Sequence, residues 1–378
     1  MDYRPEDVEE EEEIEIVEYL IPKNLVNSLI DNFGILKNQL NEVLDIPVAT
    51  SPAQATGWWR VQSGDDQLVL RSALTAIAAP ALISQITIMR GNERMIGTTL
   101  VQESMRADDP CFLVGEDENG DNLRIRRLRT PDVMAGTMIM YLDSNMELGV
   151  ADFNFTIEID DFHTLLGVID LFRRQYYQAL MEHESAPTEL QTDDILKSIK
   201  DAHEYGDPRW LLPFALPALP TMQVPDKNTL NHSLYDLGKV GVISITDDYS
   251  TVSFTDPSEL LVSELLERPT SIRVTNLGFN TDGTPAGMSS LFLRGENLVW
   301  YVNIGGEAGE TATIASVELE QVSEILKELF TPVGAPPNIT PVSAQSGTPM
   351  CPKCGKPATW VEQYKRWYCH SCQEYLEV

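Results

Sequence analysis

Basic side chains are scarce in this 378-residue chain: 27 lysines and arginines stand against 58 aspartates and glutamates, for a formal net charge of −31. Long-range repulsion at that charge opposes any general phosphate-binding surface, so only local basic islands are left to meet a nucleic acid. Long apolar runs are lacking as well, and no stretch is apolar for long enough to span a bilayer. The first residues are acidic where a secretory signal needs a basic stretch, which predicts a reducing, cytoplasmic setting. There is no Walker loop, dinucleotide fingerprint, nucleophile elbow or H-E-x-x-H motif. The glycines at 305, 306 and 309 fall in a strand-to-strand turn without the order of a phosphate cradle. Histidine is limited to five residues. His183 between Glu182 and Glu184, and His203 beside Glu204, are open to metal binding or titration near neutrality; the plainer reading is of solvated helix residues. Cysteine is nearly absent from the first 350 residues. Cys111 stands alone in the apolar run Pro110-Cys-Phe-Leu-Val114 and reads as a buried thiol rather than a nucleophile.

The other four cysteines are crowded into the last thirty residues. Cys351-Pro-Lys-Cys354-Gly355 is followed, after fourteen residues, by Cys369-His-Ser-Cys372. Two C-x-x-C pairs at this separation can set four thiolates around one tetrahedral Zn²⁺. Gly355 permits the sharp turn, and Trp360 to Tyr368 reads as a short hairpin between the pairs. A redox C-x-x-C needs only one pair, and two disulfides need an oxidising compartment. The segment resembles the zinc-ribbon family over residues 350–378. That resemblance implies one structural Zn²⁺ held by Cys351, Cys354, Cys369 and Cys372, with no open position for catalysis. Trp360, Tyr364, Trp367 and Tyr368 interleave with Lys353, Lys356, Lys365 and Arg366, the composition of a platform for single-stranded nucleic acid. A domain too small for a core also covers its metal with rings, so Tyr364, Lys365 and Arg366 are kept as the candidate contacts.

The chain reads as an α+β protein: two related α+β units with antiparallel sheets, plus the small C-terminal zinc ribbon. Residues 1–19, with Glu9 to Glu13, repel one another and form an acidic, disordered tail. The first unit spans 20–195. Leucines from Leu25 to Leu44 recur at helical spacing with a break at Gly34, and a helix over 67–79 stops at Pro80. Strands follow at 83–89, 95–103, 112–116 and 123–129, then a helix capped by Thr130-Pro-Asp132, a strand at 153–159 and a long amphipathic helix opened by Asp160 and Asp161. The second unit, 196–330, offers helices at 230–237 and 258–266, a strand at 272–279, a hairpin over 289–304, a strand at 311–315 and a closing helix over 317–330. Local matches suggest a repeat in which the first copy carries an insertion: Asn27–Asp31 parallels His232–Asp236, the helix ends at Pro80 and Pro269 correspond, and Phe155-Thr-Ile157 parallels Ala312-Thr-Ile314. Residues 331–349 read as a flexible Pro/Gly/Ser/Thr linker.

Two segments invite docking. Leu123-Arg-Ile-Arg-Arg-Leu-Arg129 is a dense basic strand in an acidic protein, with Arg124 and Arg126 on one face and Arg127 and Arg129 on the other. It can dock an acidic peptide, a phosphate or the chain's own Glu9–Glu13 tail, or it is a solvated strand paired with Glu116, Asp117 and Glu118. Trp210-Leu-Leu-Pro-Phe-Ala-Leu-Pro-Ala-Leu-Pro220 carries too much proline for an ordinary helix and is either a buried strap or an exposed apolar strip.

The helix-Gly segment, the helix ending Arg268-Pro269, the strand after it, the Gly-turn hairpin at 289–304 and the closing helix together resemble the EspG-type chaperones of ESX (type VII) secretion systems. The resemblance covers most of 230–330 and extends more faintly into the first half. It implies two related α+β halves, protein clients and no enzymatic activity. The expected function is a protein-binding adaptor or chaperone-like scaffold with a tethered zinc ribbon. The alternative is a nucleic-acid-associated factor whose ribbon contacts RNA or DNA.

Overall fold

A computed structural model of the chain describes residues 17–46, 52–91, 94–104, 106, 109–142, 148–267, 270–305, 310–334, 359–361, 366–369 and 374–375. Residues 1–337 form one compact unit and 338–378 another.

In chain order the larger unit begins with β1 (Glu18–Pro22), α1 (Lys23–Asn32), a 3₁₀ turn over Gln39–Leu44, α2 (Pro52–Arg60), α3 (Gly64–Ala78), β2 (Leu82–Arg90), β3 (Arg94–Gln102), β4 (Cys111–Glu116), β5 (Asn122–Leu128) and α4 (Asp132–Leu142). It continues with β6 (Asn154–Glu158), α5 (Ile159–Glu182), β7 (Leu190–Gln191), α6 (Thr192–Tyr205), α7 (Leu211–Ala215), α8 (Lys227–Lys239), β8 (Ile243–Ile245), β9 (Thr251–Phe254) and α9 (Asp256–Glu264). The last elements of this unit are β10 (Thr270–Phe279), β11 (Pro285–Arg294), β12 (Val299–Gly305), β13 (Thr311–Val317) and α10 (Leu319–Leu329).

Ten of the strands make one sheet in the order β1-β5-β4-β3-β2-β10-β11-β12-β13-β6, every neighbouring pair antiparallel. Strand periodicity sorts its side chains into two faces. On one face Ile86, Ile88, Ile272, Val274 and Phe292 pack under α4 and α10. Those helices are pinned from below: Asn276 Nδ2 donates to Leu329 O at 2.6 Å, Gln102 Nε2 to Phe330 O at 3.0 Å and Arg294 Nε to Leu142 O at 3.2 Å. On the other face α1, α2 and α3 cover Val101, Phe112 and Ile125, while α5 to α9 cover Leu291, Trp300, Val302 and Ile314. The sheet thus carries two unequal helical layers. A small antiparallel sheet, β7-β9-β8, lies among the second group of helices. The α+β class and the antiparallel pairing expected from the sequence are present.

The seam between the halves differs from the expected one at 195/196. Each half is an edge strand running straight into a helix, a helical stretch, a four-stranded meander and a closing helix, and the order starts afresh at β6, near residue 154. β6 and α5, read from the sequence as the end of the first unit, belong with the second: β6 pairs with β13, and α5 packs in the core that holds Trp300 and Ile314. The two halves share one sheet, joined where β2 pairs with β10. Phe155-Thr-Ile157 and Ala312-Thr-Ile314 are not matching positions of a repeat but neighbours, with Thr156 opposite Thr313 and their hydroxyls 2.8 Å apart. The added elements also fall in the second half, as α6, α7 and the small sheet, rather than in the first.

Gly34 ends α1 as expected, at φ +63° where a side chain is strained. β1 lies across the expected boundary between acidic tail and first helix; the charge around Glu18-Tyr-Leu-Ile-Pro22 hides a strand whose Ile21 is fully buried. The smaller unit shows β14 (Thr359–Val361), β15 (Arg366–Cys369) and β16 (Glu374–Tyr375) as an antiparallel sheet. Trp360 stands opposite Trp367, within the hairpin read from the sequence.

Candidate docking surface

α4 and α10 cover the middle of their face, and its flanks carry polar, accessible side chains. The flank beside β1 is built by register. In the β1–β5 pair Glu18 lies opposite Arg126 and Leu20 opposite Arg124, so alternation puts all four on one face. Glu18 sits between the two arginines, with Oε1 at 3.2 Å from Arg124 Nε and Oε2 at 3.5 Å from Arg126 Nη2. Arg124 and Arg126 remain 41% and 39% exposed and Leu20 47%, which leaves the cluster open to a partner. Ile125 and Leu123 between the arginines point to the opposite face and are buried against α1 and α3, which anchors the strand. Arg127 is exposed on that other side, and Arg129, just past the end of β5, is exposed as well. The expected partners Glu116, Asp117 and Glu118 do not take the arginines: Glu116 pairs with Lys23, and the Asp117 carboxylate accepts from the amides of Asp121 and Asn122 and from the Asn122 side chain. Those hydrogen bonds hold Asp117 below the usual carboxylate range. At the far end of the same face Asn303, Thr313 and Thr156 line up across β12, β13 and β6.

The proline-rich segment is a buried strap. Leu211, Leu212, Phe214 and Ala215 are at most 1% exposed. Asp170 on α5 accepts from the amides of Leu211 and Leu212, both at 2.8 Å, and meets Arg173 at 3.3 Å. Arg173 and Arg174 lie over the Trp210 ring, and Arg273 donates to Phe214 O while stacking on its ring. Cys111 is fully buried, and burial pushes its thiol up to about 12, far from a nucleophile. His183 is the exposed left-handed cap of α5. His203 is half-buried rather than fully solvated: its Nε2 lies 2.9 Å from Nε2 of the buried His163, which the sequence did not single out.

Of the ribbon candidates, Cys351, Cys354, Cys372, Tyr364 and Lys365 lie outside the described residues; Cys369 and Arg366 are described only as backbone, at the two ends of β15. Glu9–Glu13 also lie outside. Among the described residues no group of three or more metal-ligating side chains gathers, and no helix is long and apolar enough to cross a membrane. Sequence reasoning missed Glu18, Asp170, His163 and Arg273, since each acts through a partner at least 40 residues away.

No family model matches the chain, and no curated protein matches it in sequence. Among the solved structures similar to it is the Mycobacterium tuberculosis type VII secretion system chaperone EspG5 in complex with the PE25-PPE41 dimer, at a TM-score of 0.42 and 11% identity, covering 84% of this chain and 96% of that one.

Proposed function

We propose that the body is a non-enzymatic, chaperone-like adaptor that binds a protein client, and that residues 350–378 form a ribbon folded by one Zn²⁺ on Cys351, Cys354, Cys369 and Cys372. The observation that carries the first part is the open flank of the sheet, where Arg124, Arg126 and Leu20 surround Glu18. A cationic pair beside an apolar side chain suits an acidic, partly apolar segment of a client, whose carboxylate takes the place of Glu18. In a chain of net charge −31 this pair is a local attractor in a repelling field, which favours a partner that presents its charge there. The EspG-type resemblance of the sequence implies the same class of function.

The zinc reading rests on the spacing of the four cysteines and on the β14–β15 hairpin, which brings Cys369 to the end of a strand directly after the turn. The four thiolates are the donor set of a closed structural site, and the metal would supply folding rather than chemistry.

Two measurements test these readings. The full chain used as bait is expected to retain a protein partner that added nuclease does not release; recovery of nucleic acid alone from the untreated extract, with nothing retained after nuclease, favours the ribbon as an RNA or DNA contact and removes the adaptor reading. Metal analysis of the purified chain is expected to find one equivalent of Zn²⁺, absent from a Cys351→Ser/Cys354→Ser variant. A native chain without zinc would overturn the ribbon.

A further inference from the structure

We propose that His163 and His203 form a pH-responsive lock between α5 and α6, closed while at least one ring is neutral and opened when both carry a second ring proton. The two Nε2 atoms are 2.9 Å apart and the ring centroids 5.1 Å apart, with planes at 66°. One imidazole radius at each end nearly accounts for the centroid distance, so the rings meet tip to tip. That is the geometry of an N–H···N hydrogen bond. Rings that share a metal turn their nitrogens toward a point off the line between them. In the neutral pair one Nε2 carries the proton and donates, and the other accepts with its proton on Nδ1. A first added proton leaves the bond intact, because a charged ring still donates to a neutral one. A second puts two N–H groups face to face and breaks it.

The position of the dyad couples this chemistry to packing. One turn along α5 from His163 stands Gly167, and one turn back along α6 from His203 stands Ile199. A Cβ on Gly167 would come within 2.4 Å of Ile199 Cγ1, so the helices touch with no spare room. The dyad closes the end of that same contact stripe. His163 is 2% exposed and beside a cavity of about 400 Å³ lined also by Asp160, Thr164, Asp226 and Ser233, which gives water a route to the pair once it opens.

Burial, and then the neighbouring His203, hold His163 down to about 4, and burial lowers His203 too. The folded chain therefore binds fewer protons here than the unfolded one. The stabilisation is complete above the ordinary histidine value of 6.5 and is lost as pH falls toward about 4. Asp160 on α5 and Asp226 at the start of α8 line the cavity beside His163, Asp161 two residues back along α5 is surrounded by Glu158 at the end of β6, Asp160 and Asp236 on α8, and Lys200 and Glu204 are near His203 along α6. Asp161 works in the opposite sense. Burial raises it to about 6 against a hydrogen bond from Ser233, with Asp236, Glu158 and Asp160 adding to the rise. The folded chain takes up that proton more readily than the unfolded one, so acidification through about 6 relieves a cost at Asp161. An Asp161→Asn background separates the two effects.

The test is NMR of the full chain with labelled histidine, together with urea unfolding from pH 7.5 to 4. Opposite tautomers are expected for His163 and His203, with His163 still neutral at pH 5. The urea midpoint in Asp161→Asn is expected to fall across pH 6.5 to 4, and at least half of that fall should vanish when His203→Gln is added. Hydrogen exchange at low pH should release residues 192–205 before the sheet. A variant that lowers the midpoint equally at every pH would show packing alone and overturn the lock. So would a His163 titrating near 6.5, or Zn²⁺ shifting both ring signals in a chain whose ribbon is already loaded.

Discussion

Asp170 shows how one side chain fixes a segment whose only α-helix is five residues long. Its two oxygens take the amides of Leu211 and Leu212 at the start of α7, donors that a helix N-terminus leaves without partners, and its charge meets the buried Arg173. Replacing it by alanine leaves two amides without their acceptor and Arg173 without its counter-ion, and removal of one partner of a buried pair costs about 3–5 kcal/mol. Asp170→Ala is expected to lower the unfolding free energy read from urea titration by that order and to make the strap around Leu212 and Phe214 sensitive to protease. Little of this was legible beforehand. The prolines of 210–220 spoke against an ordinary helix, yet Leu211–Ala215 forms the short α7 with Pro213 inside it, and only the partner on α5 decides between strap and exposed strip. Arg124 and Arg126 were legible as a same-face pair from strand alternation alone. Their counter-ion was not, because Glu18 lies 106 and 108 residues away in a stretch whose composition reads as tail.

At the scale of elements, β1 is the informative strand. It closes one edge of the sheet by pairing with β5 and carries the carboxylate between the two arginines. The ion pairs are more than a third exposed on the arginine side, so solvent and salt screen them, and their share of stability is below about 1 kcal/mol. Glu18→Gln is therefore expected to leave thermal stability nearly unchanged in 0.5 M salt while strengthening capture of an acidic client, since it removes the internal competitor. A large loss of stability instead would assign Glu18 a structural role and remove the reason to treat the arginines as available. The meander strands β2 to β5 and β10 to β13 were readable because alternation, hairpin turns and bounding Gly or Pro agree locally. The place of β6 was not. A five-residue strand before a helix fits either half, and only pairing across 157 residues assigns it to β13.

For the whole molecule, one ten-stranded sheet with helices over both faces explains why an acidic chain with few local motifs holds together. Its buried side chains include Trp300, Phe112, Phe162 and Phe292, distributed over three clusters that meet through the sheet. What this body offers outward is a flank with two arginines, the surface proposed for a protein client. The direct measurement is the affinity of the nuclease-resistant protein partner for the full chain and for the Arg124→Glu/Arg126→Glu variant, at 50 and 300 mM salt. The expected result is at least a tenfold loss in the variant, and a dependence on salt that only the native chain shows. Equal affinity for both chains at both salt concentrations would contradict the claim.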